Sequence, residues 1–296
     1  MFKSGFVGII GRPNVGKSTL LNTIIEEKVS ITTHKPQTTR NRIMGIKNVE
    51  NGQFVFIDTP GIHKGKSSLN HYMVTTAINA LADSDLILFI VEAQSELDHN
   101  DRFIVESLHD TVTPVILAIN KIDLVEKERL LSMIDCLKDL YAFREIIPLS
   151  ATKGFNVDTL LEQIWKILPE GPPYFPEDMM TNVTERFLAQ EMIREKITLL
   201  SHQEIPYSTA VTVDTFKEDE SKNLIKIQAT ITVAKNSQKG IIIGKQGAML
   251  KRIGTQARQD MERFFGTRVY LELFVRVSKD WTDDSRMLSE LGYKIK

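Results

Sequence analysis

Cysteine is nearly absent from this sequence of 296 residues, in which Cys136 is the single example. One cysteine excludes a disulfide within the chain and favours a thiol-compatible, intracellular setting. Because Cys136 lies in a helix-patterned stretch over residues 129–141, we expect it to be a small, buried apolar residue.

Long hydrophobic runs are absent as well. No apolar run approaches the roughly 18 residues that a transmembrane helix needs. Residues 1–10 have neither the length nor the cleavage site of a signal peptide. We therefore expect a cytoplasmic protein whose first strand begins almost at residue 1.

The charge of the chain is unevenly distributed. The net charge is −1, and the length, with 42% hydrophobic and 25% charged residues, suits about two globular domains. Residues 1–220 carry 22 Lys/Arg and 31 Asp/Glu, whereas residues 221–296 carry 15 and 7. A small region at +8 beside an acidic one indicates a polyanionic partner for the last quarter of the chain.

The first half of the chain alternates short β-rich runs with amphipathic helical windows. This pattern predicts an α/β fold, a mostly parallel sheet with helices on both faces. Several runs are almost wholly Val, Ile, Leu and Phe, as expected for strands covered on both faces. Ligands of such sheets bind at the carboxyl ends of the strands. The predicted strands are 5–10, 42–47, 53–58, 86–92, 115–120 and 145–148.

A phosphate-binding loop follows the first predicted strand. Residues 11–18 read GRPNVGKS and precede a helix-like stretch over residues 19–25. The glycines let backbone N–H groups surround a triphosphate, the lysine reaches its terminal oxygens, and the serine hydroxyl can bind Mg²⁺. The helix that begins near Lys17 directs its positive end at the same anion. The predicted phosphate-binding residues are Gly11, Arg12, Pro13, Asn14, Val15, Gly16, Lys17, Ser18 and Thr19.

A second motif, Asp58-Thr59-Pro60-Gly61, comes directly after the third predicted strand. The aspartate can hold Mg²⁺ through water, and the glycine frees a backbone N–H to meet the γ-phosphate and sense its loss. Asp, Pro and Gly also form ordinary turns. Downstream of a phosphate-binding loop, the motif indicates function.

Two further motifs suit recognition of guanine. Asn120-Lys121-Ile122-Asp123 ends another apolar strand. The carboxylate of Asp123 can accept hydrogen bonds from N1–H and the 2-amino group of guanine, for which adenine has no counterpart. Ser150-Ala151-Thr152 follows the last strand, where a backbone N–H can meet guanine O6. Ser-Ala alone is weak evidence.

In this order, the four motifs resemble a translation-factor-type GTPase domain over residues 1–169. The resemblance implies hydrolysis of GTP to GDP and phosphate, with Lys17 and Gly61 at the γ-phosphate. It also implies that PQTTR, residues 36–40, is the first switch loop, whose threonine completes Mg²⁺ coordination. We favour Thr39, with Thr38 as the alternative.

The residue after the second motif departs from the pattern of many regulatory GTPases. Ile62 stands where they have a glutamine that orients the attacking water. The chain therefore resembles the hydrophobic-substituted GTPases, in some of which K⁺, held partly by an asparagine that matches Asn14, stabilises the developing charge. The alternative is that Asn14 only shapes the loop.

The second half begins with a Pro-rich segment, residues 170–182, which we expect to be a semi-rigid linker. A helix over 184–201, capped by Thr184, and strands over 207–216 and 224–233 follow. A helical window over 238–243 then leads through GKQG to a helix over 248–265 and a strand over 268–277. This order resembles a smaller α+β domain, a type II KH domain over residues 183–279, with a tail over 280–296.

The GKQG turn is the predicted RNA site. Its two glycines let the backbone approach four consecutive nucleotides, and nearby cations attract phosphates. We expect RNA and not DNA as the polyanionic partner. Arg258 adds a further cation, and Trp281 is expected to pack, the alternative being a stacking surface. The predicted RNA-binding residues are Lys239, Gly244, Lys245, Gln246, Gly247, Lys251 and Arg252.

Taken as a whole, the chain resembles the Era family of bacterial ribosome-assembly GTPases. The resemblance implies binding to 16S ribosomal RNA near its 3′ end, assistance in 30S subunit maturation, and in some members peripheral association with the inner membrane. No transit peptide is recognisable, which favours a bacterial member. We expect GTP and Mg²⁺ to order residues 29–42 and the segment after Gly61.

Two alternatives remain at this point. One is a GTPase that acts on another RNA, for example in transfer-RNA modification. The other is an RNA chaperone in which the nucleotide only stabilises the fold. Turnover with and without RNA separates them, because a chaperone binds RNA without GTP and hydrolyses little.

The base-recognition motif generates a first test. Asp123→Asn replaces the carboxylate with an amide that cannot accept two hydrogen bonds from guanine, so we expect the nucleotide preference to shift from GTP toward xanthosine triphosphate. Competition binding with the two nucleotides measures the shift. Unchanged guanine selectivity would show that Asp123 does not read the base.

Overall fold

Contacts within a computed structural model, which describes residues 1–62, 67–94, 96–109 and 111–293, divide the chain into two units. The N-terminal unit is Met1–Gly65 with Met73–Asn182, and the C-terminal unit is Lys66–Tyr72 with Val183–Lys296. No helix in the described ranges is both long and apolar enough to cross a membrane.

The N-terminal unit contains a six-stranded sheet with the strand order β2-β3-β1-β4-β5-β6. Only β2 is antiparallel to its neighbour, and the remaining pairs are parallel. The strands are β1 (Lys3–Ile10), β2 (Ile43–Val49), β3 (Gly52–Asp58), β4 (Leu86–Glu92), β5 (Val115–Asn120) and β6 (Glu145–Pro148). The helices are α1 (Lys17–Ile25), α2 (Ser68–Ala82, of which residues 73–82 belong to this unit), α3 (His99–Leu108), α4 (Lys127–Leu137) and α5 (Val157–Ile167).

The sheet is the core of this unit because its central strands are apolar and buried along nearly their whole length. The bounds predicted for β4, β5 and β6 are confirmed, and those of β1 to β3 differ by one or two residues. Parallel pairing places Ile9 beside Asp58 and Glu92 beside Asn120. The carboxyl ends of four strands therefore bring the sequence motifs to one edge.

The Pro-rich segment over residues 170–182 differs from the expected linker. The N–H groups of Tyr174 and Phe175 donate to Gln53 Oε1 at 2.8 and 3.0 Å. The N–H of Ile46 donates to the Met180 carbonyl at 2.8 Å. Backbone groups of this segment that have no partner within it find one on β2 or β3. The N-terminal unit thus continues to Asn182 and does not end at residue 169.

The C-terminal unit has a three-stranded sheet with helices packed on one of its faces. Strand β7 is antiparallel to β8, and β8 is parallel to β9, in the order β7-β8-β9. The strands are β7 (Thr209–Asp219), β8 (Leu224–Val233) and β9 (Arg268–Val277). The helices are α6 (Glu185–Leu200), α7 (Asn236–Ile243), α8 (Ala248–Phe265) and α9 (Ser285–Glu290).

The sequence predicted this unit closely. The bounds of β8, α8 and β9 are confirmed, and Thr184 caps α6 by accepting a hydrogen bond from the Phe187 N–H at 3.2 Å. Strand β7 continues three residues beyond its predicted end, so the turn to β8 is shorter than expected. Trp281 is fully buried and donates Nε1–H to the Ser208 carbonyl at 3.0 Å, which confirms a packing role.

The prediction for Cys136 was wrong, because its side chain is exposed. Helix α4 turns the stripe Leu130, Met133, Ile134 and Leu137 toward the core. Cys136 lies one position from Leu137, about 100° around the helix. Cys136 therefore lies outside the apolar face of the helix.

Candidate functional site

The phosphate-binding loop closes around the side chain of Lys17. Its Nζ donates to the carbonyls of Gly11 and Arg12 at 3.0 and 2.9 Å. Burial lowers the pKa of Lys17 to about 8, against the opposing effects of the carboxylates of Asp58 and Asp101. Gly16 has φ 101°, and a Cβ there would lie 2.2 Å from Asn120 Nδ2. This position requires glycine for backbone conformation and for space.

The carboxylate of Asp58 gathers three hydroxyls at the end of β3. Its Oδ2 accepts hydrogen bonds from Ser18 Oγ at 2.6 Å, Ser30 Oγ at 2.9 Å and Thr39 Oγ1 at 3.3 Å. Ser18 and Thr39 also bond each other at 2.7 Å. Asp58 Oδ1 is buried and has no hydrogen-bond partner among the described residues, and burial raises the pKa of Asp58.

These oxygens fit a Mg²⁺ site. Mg²⁺ prefers hard oxygen ligands such as carboxylates and hydroxyls, and the unpartnered carboxylate oxygen marks where charge is unsatisfied. Thr38, the alternative to Thr39, bonds instead to Thr33 Oγ1 and to the Lys35 carbonyl, each at 2.7 Å. Ser30 was missed by the sequence reasoning, since no motif contains it.

Asn120 connects three of the motifs. Its Nδ2 donates to the Val15 carbonyl in the phosphate-binding loop at 2.7 Å. Its Oδ1 accepts from the N–H groups of Lys121 at 2.8 Å and Ala151 at 2.9 Å. The Ala151 N–H, which the sequence suggested for guanine O6, is therefore engaged by Asn120 in this structure. Ser150 Oγ accepts from the Lys153 N–H at 3.3 Å.

A cavity of about 220 Å³ opens beside the loop. Its lining includes Pro13, Asn14 and Gly16 to Thr19 of the loop, together with Thr38, Thr39, Gly61 and Lys121. A Cβ on Gly61 would lie 2.7 Å from the Pro13 nitrogen, so the second motif touches the loop directly. Lys121 has φ 63°, and Asp123, two residues later, is exposed. Asp123, Ser150 and Ala151 are not part of the cavity lining.

Arg12 points away from this cavity. Its guanidinium lies 3.4 Å from Asp101, 3.7 Å from Asp98 and 3.7 Å from Glu92. Glu92 also pairs with Lys121 at 3.0 Å. Sequence reasoning predicted Arg12 as a phosphate-loop residue but missed its carboxylate partners. The position of Glu92 at the carboxyl end of β4 is the signal that could have identified it.

Asn14 joins the phosphate-binding loop to the segment before the switch threonines. It has φ 67°, and its Nδ2 donates to the His34 carbonyl at 2.8 Å. Because asparagine tolerates the left-handed region better than most residues, this contact is consistent with a loop-shaping role. The side-chain oxygen of Asn14 has the chemistry of a K⁺ ligand.

A second candidate site lies in the C-terminal unit, where the GKQG turn joins α7 to α8. Gly244, Gln246 and Gly247 all have positive φ, at 71°, 53° and 80°. A cleft of about 390 Å³ follows the turn, between α8 and β9. It is lined by Gly247, Leu250, Lys251, Gly254, Thr255, Arg258, Leu271 and Leu273.

Of the predicted RNA-binding residues, the structure brings Gly247 and Lys251 into the cleft lining. Lys245 and Arg252 are exposed near it, and Lys239 is half-buried on α7. Gly244 and Gln246 belong to the turn outside the cleft lining. Arg258 forms an ion pair with Glu262 at 2.8 Å, so its charge is already neutralised in part.

Each of the two units matches a known protein family. Residues 6–121 match the family model described as 50S ribosome-binding GTPase, and residues 204–282 match the KH domain model. The chain is 63% identical to GTPase Era of Syntrophus aciditrophicus, over 99% of this chain and 96% of the relative. It is 58% identical to GTPase Era of Geobacter metallireducens, over 99% and 98%.

Two solved structures cover nearly the whole chain. One is Era in complex with MgGDPNP and nucleotides 1506–1542 of 16S ribosomal RNA, with a TM-score of 0.97, 42% identity and 100% coverage of both chains. The other is a variant of Aquifex aeolicus Era bound to GDP and AlF4⁻, with a TM-score of 0.96, 42% identity, and coverage of 99% of this chain and 100% of that one.

The three hydrogen bonds of Asn120 generate a prediction. Asn120→Ala leaves a buried carbonyl and two N–H groups without this partner, so we expect GTP affinity to fall by about 10- to 100-fold. Asn51→Ala, which changes an exposed asparagine in the same unit, is the matched control. Nucleotide titration measures both variants; GTP affinity equal to that of the unmodified chain in Asn120→Ala would contradict the connecting role.

Proposed function

The chain belongs to the Era family of GTPases, and from this premise we propose that it is a nucleotide-gated switch that binds 16S ribosomal RNA near its 3′ end and assists 30S subunit maturation. The observation that carries the proposal is the match, along the full chain, to an Era structure holding both MgGDPNP and nucleotides 1506–1542 of that RNA. The motif residues of the N-terminal unit and the cations around the KH cleft support the proposal.

In the proposed mechanism, the N-terminal unit positions GTP for attack by water. Backbone N–H groups of residues 11–18 and the Lys17 ammonium bind the phosphates, exchanging the carbonyl contacts of Lys17 for phosphate oxygens. Ser18, Thr39 and Asp58 would hold Mg²⁺. When bound, Mg²⁺ neutralises charge on the β- and γ-phosphates. Catalysis is positioning and charge neutralisation, and no general base is assigned.

Base selection falls to the motifs beyond the loop. Asp123 would accept hydrogen bonds from guanine, while Asn120 and Lys121 fix the local backbone. Ser150 and Ala151 would support the base site, because the Ala151 N–H donates to Asn120 Oδ1 at 2.9 Å. The arrangement selects guanine over adenine through donor and acceptor pattern.

The switch depends on two hydroxyls that converge on Asp58. Ser30 and Thr39 lie near the two ends of residues 29–42, and both donate to the same carboxylate oxygen. GTP with Mg²⁺ would order this segment and the residues after Gly61. Hydrolysis would release them and change access to the KH cleft. Peripheral association with the inner membrane stays a prediction of the resemblance.

The two adjacent threonines offer a matched pair of variants. Thr39→Ala removes a hydroxyl from the Asp58 cluster, so we expect Mg²⁺-dependent GTP turnover to fall by about 10- to 100-fold. Thr38→Ala removes a hydroxyl that bonds to Thr33 Oγ1 and to the Lys35 carbonyl, and turnover should change little. Single-turnover kinetics over a Mg²⁺ series compare them. The reverse order of effects would assign the ligand to Thr38.

We also propose that Asn14 helps to bind K⁺ during hydrolysis, in place of an arginine finger. GTP should then be hydrolysed faster in K⁺ than in Na⁺ buffer at equal ionic strength, and Asn14→Ala should remove the difference. Equal rates of the unmodified chain in the two buffers would exclude K⁺ and leave Asn14 a loop-shaping residue.

Binding of the RNA segment 1506–1542 tests the function as a whole. Lys251→Glu places a negative charge in the cleft, and we expect weaker binding and a salt slope reduced by about one for a lost phosphate contact. Lys127→Glu, in the N-terminal unit, is the control. Equal affinity for unrelated transfer RNA would favour another RNA target. RNA affinity that is the same with and without GTP, together with negligible GTP hydrolysis, would favour the chaperone alternative.

A further inference from the structure

Strand β9 has two faces of different character. It forms one edge of the three-stranded sheet, since β8 is its single strand partner in the order β7-β8-β9. Leu271 and Leu273 point to the helices and line the KH cleft. The alternate residues therefore point to the opposite face of the sheet. That outer row is Arg268, Tyr270, Glu272, Phe274 and Arg276.

Two aromatic rings stand exposed in this outer row. Tyr270 and Phe274 are 52% and 53% exposed, although both are large side chains on a regular strand. Four residues of strand separate them by roughly 13 Å. Exposed rings on a sheet surface, flanked by cations, are the usual stacking platform for single-stranded bases.

The charges of the outer row suit a polyanion. Arg268 and Arg276 form no ion pair with any residue that the structure describes. Their hydrogen bonds go to the Lys222 carbonyl at 3.0 Å and to Thr232 Oγ1 at 2.9 Å. The acidic residue between the rings, Glu272, is held by Gln228 Nε2 at 2.7 Å and by the Tyr270 hydroxyl at 2.8 Å.

We propose that the outer row of β9 is a second RNA-binding surface, on which bases of the strand that leaves the KH cleft stack against Tyr270 and Phe274 while the flanking arginines hold phosphates. The proposal rests on the proposed function, because the cleft must hold RNA first. Continuity favours RNA over a protein partner: the same edge strand forms the cleft wall with one face and carries the rings on the other. RNA that passes the edge of β9 meets them directly.

The test compares two RNAs of different length on the full chain. A tetranucleotide occupies only the cleft, whereas nucleotides 1506–1542 of 16S RNA can extend past the edge of β9. For the double variant Tyr270→Ala/Phe274→Ala we expect at least about a tenfold loss of affinity for the long RNA, from lost stacking. Affinity for the tetranucleotide should not change.

Controls separate stacking from folding. Tyr270→Phe/Phe274→Tyr keeps both rings and should retain affinity for the long RNA. Tyr174→Ala removes a ring that is 53% exposed in the N-terminal unit and should have no effect. Ultraviolet crosslinks of the long RNA should map to the peptide of β9.

Three outcomes contradict the proposal. Long-RNA affinity of the double variant equal to that of the unmodified chain would show that these rings do not stack on RNA. An equal loss for both RNAs would show a distorted cleft and no second surface. An unmodified chain that binds neither RNA would refute the proposed function, and the inference with it.

Discussion

A half-satisfied, buried carboxylate organises the nucleotide site. Asp58 accepts three hydroxyls with one oxygen, and its other oxygen has no hydrogen bond within the part of the chain that the structure describes. A buried charge in this condition is costly unless a cation completes it. Because the hydroxyls come from the phosphate-binding loop and from residues 29–42, binding of Mg²⁺ and nucleotide would stabilise both together in the proposed mechanism. Loss of the γ-phosphate would weaken the same set of contacts and so provide a physical basis for the proposed switch.

The sequence predicted the strands and the motif residues because both depend on local patterns. Continuous apolar runs define β4 and β5, and the motifs require particular residue types at fixed spacing. The partners Ser30 and Glu92 could not be predicted in the same way. Their roles depend on where the chain returns in space, and neither belongs to a recognisable motif. Cys136 shows a related limit, since a helical pattern alone did not decide its side.

Strand β9 of the C-terminal unit shows the same limit, because its sequence does not decide which face is covered by helices. The bounds of β9 were predicted to the residue, but both of its faces carry apolar or aromatic side chains. Only the position of the helices on one side of a three-stranded sheet decides that Leu271 lines a cleft and Phe274 remains exposed. The same strand thus lines the cleft with one face and exposes two aromatic rings on the other.

Calorimetric titration with GTP, with and without Mg²⁺, and with ATP is the most direct test of the central claim. If Mg²⁺ binds at Asp58, GTP should bind tightly and more weakly when Mg²⁺ is removed. If Asp123 reads the base, ATP should give no comparable heat. GTP binding of equal strength without Mg²⁺, or ATP bound as well as GTP, would contradict the account.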